Sequence, residues 1–349
     1  MKIYDSALDL IGHTPLVRLN RIKKDIEAAI LAKLEYYNPS GSVKDRIALA
    51  MIEDAEHQGI IKRGDTIVEP TSGNTGTSLA FVCALKGYHM IAVMPEQMSR
   101  ERKDMMTAFG AQLVLIPSQG KSETGTFTKE DVEATMVKAE ELAAQPGFFM
   151  PNQFANPANT LAHQKTTANE IWEATDGQID AFVAGVGTSG TTMGVSLGLK
   201  EKNPAVKIYI VEPANSAVIL GECPGYHRIQ GIGEGFIPDL LEHENYDGII
   251  KVTDVEAKAT SCRLARIEGI FSGYSAGANV FASLKVAREL GTGKTLVTII
   301  PDSGMKYLST ELFHHNPDVC TIHCCTLDDP KARQECVKGT PGCCVLEPC

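Results

Sequence analysis

Thr66-Ile67-Val68-Glu69-Pro70-Thr71-Ser72-Gly73-Asn74-Thr75-Gly76 reads as a short β-rich run, a loop of small residues and the opening of a helix. Thr66 to Glu69 is the strand, Thr75 to Lys86 the helix with Gly87 as its stop, and His89 to Met94 the next strand, ended by Pro95. Ser99 to Phe109 follows as a helix, with Ser99 as N-cap and Gly110 as stop, and Gln112 to Ile116 is a further strand. Repeated βαβ units impose a mostly parallel sheet with helices on both faces, and ligands then bind at the carboxyl ends of the strands. Gly73 and Gly76 lie at such an end.

Beyond a polar stretch from Ser118 to Thr128, expected to be a surface loop, the spacing predicts a helix over Glu130 to Ala144. A second series then begins: helix Thr160 to Ala174, strand Ile179 to Ala184, helix Thr191 to Lys202 and strand Lys207 to Val211. Helices Asp254 to Glu268 and Ser275 to Leu290 and the strand Thr295 to Ile300 complete it. Two α/β domains are expected. The 349 residues, 43% of them hydrophobic, suffice for two cores, and the net charge of −10 disfavours nucleic acid as a partner. Residues 1 to 12 carry Asp5 and Asp9 and no apolar leader core, and no apolar run is long enough to span a bilayer, so a cytoplasmic protein is expected.

Three segments carry chemistry. Asn38-Pro39-Ser40-Gly41-Ser42-Val43-Lys44-Asp45-Arg46 places one lysine where a tight turn feeds a helix predicted over Arg46 to Gln58. An amine near a helix N-terminus is favoured in its neutral, nucleophilic form. In Thr71 to Gly76, free N–H groups and the hydroxyls of Thr71, Ser72 and Thr75 can hold a carboxylate. Gly185-Val186-Gly187-Thr188-Ser189-Gly190-Thr191-Thr192 follows an apolar strand and opens a helix, which suits a phosphate. The last segment also matches GxGxxG, with Glu212 placed as a ribose-binding acid, so a dinucleotide-binding enzyme is the rival reading. Such an enzyme needs neither Lys44 nor the Thr71 to Gly76 loop.

Over residues 1 to about 315 the chain resembles the fold type II, β-family pyridoxal phosphate enzymes. It looks most like the cysteine synthases (O-acetylserine sulfhydrylases), with cystathionine β-synthases as near kin. The resemblance is carried by Ile11 to Leu16, Asn38 to Arg46, Glu69 to Gly76, Met94 to Ser99, Asn152-Gln153-Phe154, Gly185 to Thr192, Gln230 to Gly233 and Ser275-Ala276-Gly277. It implies two doubly wound, tryptophan synthase β-like domains with the cofactor cleft between them. Residues 1–45 and 158–315 would form the larger, 46–157 the smaller mobile one.

By the same resemblance Lys44 would hold pyridoxal 5'-phosphate as a Schiff base, and Asn74 would meet its ring oxygen. Gly187, Thr188, Ser189, Gly190 and Thr191 would bind its phosphate and Ser275 its pyridine nitrogen. Ser275 is also a good N-cap for the helix that follows. A hydroxyl at that place does not keep the nitrogen protonated, which suits β-elimination. Thr71, Ser72, Gly73, Thr75, Gln153 and Gly231 would bind the amino-acid substrate. The implied reaction makes L-cysteine from O-acetyl-L-serine and sulfide by ping-pong β-replacement through an aminoacrylate, with Lys44 as base and acid. The alternative on the same scaffold is cystathionine β-synthase-like activity or a hydrogen sulfide-producing β-lyase acting on cysteine or serine. The implied partners are a second copy of the chain and serine acetyltransferase.

Three departures stand out. The family usually has glycine where Ser189 stands, and a serine could donate to phosphate. Glu234 replaces a small apolar residue in the loop after Gly231-Ile232-Gly233, where it could act as acid or base in the second half-reaction or lie solvated. Tyr274 replaces Ile or Gly close to the cofactor ring. Cys83, Cys223 and Cys262 read as small hydrophobes. In the extension 316–349, Cys320, Cys324, Cys325, Cys336, Cys343, Cys344 and Cys349 fit no zinc spacing cleanly, so no metal site is assigned. A distant alternative makes that tail the working part of a sulfur- or metal-binding protein.

Overall fold

The computed structural model describes residues 3–71, 73–117 and 129–313. The chain begins with β1 (Leu16–Leu19) and β2 (Ala29–Leu34), then α1 (Lys44–His57). Next come β3 (Thr66–Pro70), α2 (Asn74–Lys86), β4 (His89–Pro95), α3 (Arg100–Ala108), β5 (Gln112–Ile116), α4 (Lys129–Ala143) and β6 (Phe148–Phe149). The second series is α5 (Pro157–Lys165), α6 (Thr167–Ala174), β7 (Ala181–Gly185), α7 (Gly190–Lys202), β8 (Lys207–Pro213), β9 (Gly248–Val252), α8 (Asp254–Arg263), α9 (Tyr274–Leu290) and β10 (Thr295–Ile300).

Two sheets result. The first is parallel throughout, in the order β5-β4-β3-β6. The second runs β1-β2-β10-β7-β8-β9, parallel except for β1 against β2. Successive strand residues point to opposite faces, and both faces of the second sheet are covered. Ala181 and Val183 therefore join Val280, Leu284 and Leu296 on one side. Phe182 and Ala184 join Ile171, Val195 and Leu199 on the other. Burying a side chain such as Phe182 is worth roughly 1.5–3 kcal/mol. The first sheet has its own core, in which Ile67, Leu79, Met90 and Met94 pack together.

Three expected helices differ. Thr160 to Ala174 is two helices: α5 starts earlier, capped by the Asn156 side chain on Ala158 N, and Thr166 (φ −114°, ψ −70°) breaks the run before α6. The region expected as Asp254 to Glu268 is α8 followed by a π turn over Leu264–Glu268. At α9 the N-cap is Gly273 and makes no side-chain cap bond, so Ser275 lies inside the first turn and is not the cap. The loop expected over Ser118 to Thr128 and the cysteine-rich tail lie outside the described residues. Among the described residues no helix is long and apolar enough to cross a membrane.

Candidate active site

The carboxyl ends of β3, β4, β7 and β10 and the first turns of α1, α2, α7 and α9 converge on one cleft. Its lining includes Lys44, Thr71, Asn74, Thr75, Gln153, Gly187, Thr188, Ser189, Thr191, Gly231, Glu234 and Ser275. Most of the residues singled out in the sequence thus meet in one place. Gly73 and Gly190 belong to the same loops without lining the cleft. Ser72 lies outside the described residues.

Lys44 is the first residue of α1, and the turn before it is pinned to the end of β10 by the Val43 N–H on Pro301 O at 2.8 Å. Burial lowers its ammonium to about 8, against the attraction of Glu234 and Asp302. Roughly a tenth of the amine is then neutral at pH 7, far more than for an ordinary lysine, and the neutral form is the nucleophile. Asp45, the next residue, is fully buried and accepts from Ser40 and Ser78, which ties the turn to α2.

The loop before α2 is held open for a ligand. Thr71 Oγ1 accepts the Gly73 and Gly76 N–H groups at 3.1 and 3.0 Å, which leaves its own hydrogen free to donate. Thr75 donates to Gln153 Oε1 at 2.6 Å, so the Gln153 NH₂ is presented to the cleft. The backbone of that glutamine is fixed by Glu69, a fully buried carboxylate that accepts from Asn152 N and Gln153 N at 3.0 Å each. Burial pushes Glu69 up to about 7 against those two donors. Thr71, Gln153 and the first N–H groups of α2 together suit a carboxylate. Sequence reading missed Glu69, whose signal was an acid ending an otherwise apolar strand.

The loop between β7 and α7 suits a phosphate. At Gly187 an added Cβ would strike Gly231 O, so only glycine permits the close approach of the two loops. Thr188 Oγ1 accepts from Asn159 Nδ2 at 2.9 Å and keeps its hydrogen for a ligand. Thr191 Oγ1 lies 3.1 Å from Nε2 of the buried His163, whose Nδ1 lies 2.8 Å from Thr167 Oγ1. Burial drives His163 down to about 3, so the ring is neutral at physiological pH. Neither Asn159 nor His163 was anticipated; Asn159 fell just before the expected helix and His163 within it, each a polar residue without a local motif.

Ser189 lines the cleft where the family usually has glycine. It is the N-cap of α7 with φ +63°, a conformation that suits glycine, and its hydroxyl donates to Thr188 O at 2.6 Å. A left-handed residue other than glycine costs roughly 1–2 kcal/mol. Ser189→Gly is therefore expected to unfold at higher urea than Ser189→Ala, by about 1 kcal/mol, with cofactor retention unchanged. A Gly variant no more stable than the Ala variant would show that the backbone carries no such strain.

Two further expectations change. Glu234 is half-buried and lines the cleft, so it is not a solvated loop residue. Burial pushes its carboxyl up to about 7 against Lys44 and Arg102. Tyr274 is buried, packs edge-on against Tyr307 with ring centres 6.1 Å apart, and does not line the cleft. Glu212, the acid that the dinucleotide reading needs, is occupied by Ile219 N and Leu220 N at 2.8 and 3.2 Å. It is also absent from the lining.

A nucleophilic lysine, a carboxylate cradle and a phosphate cup in one cleft are the parts a pyridoxal phosphate enzyme requires. The family described as pyridoxal-phosphate dependent enzyme matches residues 7–302. The chain belongs to this family. It is 50% identical over 313 residues to a cysteine synthase of Staphylococcus aureus, which spans 89% of this chain and 98% of the relative. A solved cysteine synthase of Entamoeba histolytica is 43% identical, with a TM-score of 0.83 over 89% of this chain and 91% of that one. A hydrogen sulfide-producing enzyme of Fusobacterium nucleatum is 40% identical, with a TM-score of 0.82 over 88% and 100% of the two chains. The cofactor is pyridoxal phosphate, and the donor set fits it: an amine to bind its aldehyde, N–H groups and hydroxyls for its phosphate, and a neutral hydroxyl at Ser275.

Proposed function

We propose that the enzyme makes L-cysteine from O-acetyl-L-serine and sulfide by β-replacement. The observation that carries this reading is the shared cleft of Lys44 with the Thr71, Thr75 and Gln153 cradle, which suits an α-amino acid with its Cα beside the amine. Pyridoxal phosphate, when bound, supplies an electron sink for the Cα–H bond. Lys44 holds the cofactor, takes the Cα proton once its amine is free, and returns it after the nucleophile has added. Thr71, Gln153 and the α2 N-terminus orient the carboxylate, with Ser72, Gly73 and Gly231 as further contacts by resemblance. Asn74 and Ser275 flank the ring, and Gly187 to Thr191 hold the phosphate.

A second reading is favoured by Glu234. A carboxyl near 7 opposite Lys44 can take a proton from an incoming thiol or water, which suits a cystathionine β-synthase-like or hydrogen sulfide-producing reaction on serine or cysteine. Mixing the enzyme separately with O-acetylserine, serine and cysteine, and following the cofactor absorbance and the products with and without sulfide, separates the two. Cysteine formed fastest from O-acetylserine and sulfide supports the first; sulfide release from cysteine alone at a higher kcat/KM overturns it.

On either reading Glu234 serves the second half-reaction. Glu234→Gln is expected to leave the absorbance change on adding O-acetylserine within about threefold in rate. It should slow the decay with thiols by roughly ten- to a hundredfold. Equal slowing of both phases in stopped flow would reduce Glu234 to a structural residue.

We extend the reading to a homodimer with serine acetyltransferase as a partner, on the strength of the resemblance alone, and to the cytoplasm, on the sequence pattern given above. Residues 46–157 are proposed to move as a unit against 1–45 and 158–315, supported by the separate cores of the two sheets; Arg46, Ile47 and Met51 of α1 make contact across that boundary. The tail 316–349 is proposed to handle sulfur or metal outside the catalytic cycle.

A further inference from the structure

Asn74 opens α2 and lines the cleft, yet its side chain is held from behind by the other sheet's layer. Its Nδ2 donates to Asp302 Oδ2 at 2.8 Å, and its Oδ1 accepts from Lys306 Nζ at 2.8 Å. Asp302 follows the end of β10, and Lys306 sits in the short 3₁₀ turn Gly304–Tyr307. Both are buried, Asp302 completely and Lys306 to 2% exposure. A carboxylate can only accept and an ammonium can only donate, so the pair distinguishes the two ends of the amide. One orientation satisfies both; the flipped one faces NH₂ to ammonium and oxygen to carboxylate. One Nδ2 hydrogen then remains for a ligand oxygen.

The clamp is itself braced. Tyr307 donates to Asp302 Oδ2 at 2.7 Å and accepts from Arg102 at 3.1 Å, and the Arg102 guanidinium lies 5.0 Å from the centre of the Tyr307 ring. Ser99 donates to Lys306 O at 3.3 Å. The Arg102 stem fills the space under Gly73, where an added Cβ would collide with it. Asp302 Oδ1 has no hydrogen-bond partner and stands against Gly273, the N-cap of α9, two residues before Ser275. Asp302 thus touches the supports of both residues assigned to the two sides of the cofactor ring.

We propose that Asp302 and Lys306 are positioning residues that clamp the Asn74 amide with one N–H directed at the cofactor, and so register the substrate loop against the turn after β10. This rests on the assignment of Asn74 to the cofactor, and the experiment tests that assignment separately. The holoenzyme and its Asn74→Ala, Lys306→Met, Lys306→Arg, Asp302→Asn and Asn74→Ala/Lys306→Met variants are purified. Their cofactor absorbance maximum and the rate at which cofactor is lost on dilution are measured, on protein with native circular dichroism.

Lys306→Met is expected to shift the maximum in the same direction as Asn74→Ala and to speed cofactor loss by about tenfold, since it removes a hydrogen bond from a charged donor. Lys306→Arg, which restores a donor, should recover part of the loss. The double variant should lose cofactor no faster than Asn74→Ala alone, because the clamp has nothing left to hold. Additive losses in the double variant, or a folded Lys306→Met with unchanged spectrum and retention, overturn the clamp. If Asn74→Ala itself changes neither readout, the assignment of Asn74 fails instead, and the clamp with it. Asp302→Asn adds a second arm, and Lys306→Met decides alone where that variant does not fold.

Discussion

Lys44→Ala is expected to abolish borohydride-fixable cofactor and to lower turnover on the order of 10⁴-fold, the combined loss of a covalent anchor and of a general base and acid. The structure makes this a sharp test because Lys44 is not the only lysine with a lowered pKa. Lys306 is also brought down to about 8 by burial, against Asp302 and Asp45, and Lys33 is lowered as well. What separates them is access. Lys306 spends its amine on Asn74 Oδ1, and Lys33 donates to Glu170 and to Thr14 O at 2.6 Å each. Among these three, Lys44 alone lines the cleft. Reduction of the parent enzyme followed by peptide mass analysis should therefore place the modified lysine at 44. A Lys44→Ala enzyme that keeps turnover within tenfold of the parent would sink both the cofactor geometry and the proposed function.

The parallel units were legible wherever a short apolar run is bounded by glycine or proline. Gln112 to Ile116, at a sheet edge, and Thr295 to Ile300, buried within its sheet, fall where the sequence placed them, and β3, β4 and β7 shift only at their ends. The elements that escaped were those whose local pattern is interrupted by charge. Strand β2 has a short, alanine-rich apolar run, with no glycine or proline beside it and Lys33 and Glu35 at its end, yet it pairs along its whole length with β10. That pairing joins residues more than two hundred and fifty positions apart, which no window of sequence contains. Likewise β1 carries Arg18 and β9 carries Lys251, the polarity expected of the sheet's two edges.

The candidate site divides the same way. Loops that present small residues and hydroxyls at helix starts were readable because their chemistry is local. Their supports were not. Glu69 fixes Gln153 across 84 positions, Asn159 reaches Thr188 across 29, and Asp302 reaches Asn74 across 228. Each is a buried polar group whose partner is remote, so its function is visible only once the fold has brought the partner to it. Ser189 adds a feature that no local pattern announces, a left-handed backbone at the start of α7 with the hydroxyl on the Thr188 carbonyl.

The largest effect on stability is expected two residues beyond Lys44. Arg46 lies 4% exposed and forms a fork with Glu35, through Nε at 2.8 Å and Nη2 at 2.9 Å, and a second with Glu170, through Nη1 at 2.6 Å and Nη2 at 2.8 Å. Glu35 also accepts from Thr14 and Asn38, and Glu170 from Lys33 and the His13 N–H. One guanidinium therefore ties the first turn of α1 to the N-terminal segment, to the end of β2 and to α6. Arg46→Met removes the charge and the fork while keeping much of the stem, and leaves the buried Glu35 and the partly exposed Glu170 short of partners. The expected cost is about 3–5 kcal/mol in urea unfolding at pH 7.

The pH dependence gives the sign. Burial pushes the Glu170 carboxyl up, but Arg46 and Lys33 outweigh it and hold the group at about 2, below the ordinary glutamate value of 4.5. Glu35 is likewise lowered on balance, burial being overcome by Arg46. Depressed carboxyls contribute stability that is present above the unfolded pKa and is lost as pH falls through the folded one. For Glu170 that window runs from 4.5 down to about 2 and is worth on the order of 3 kcal/mol. Without Arg46 the same carboxyls lose their anchor, and burial favours their neutral forms. The parent should therefore outlast Arg46→Met most clearly at pH 7, and the gap should narrow as pH falls towards 4. A gap below 1 kcal/mol, or one that does not change between pH 7 and pH 4, would mean that the two forks contribute little and that α1 is held in place by its apolar face through Ile47 and Met51 instead.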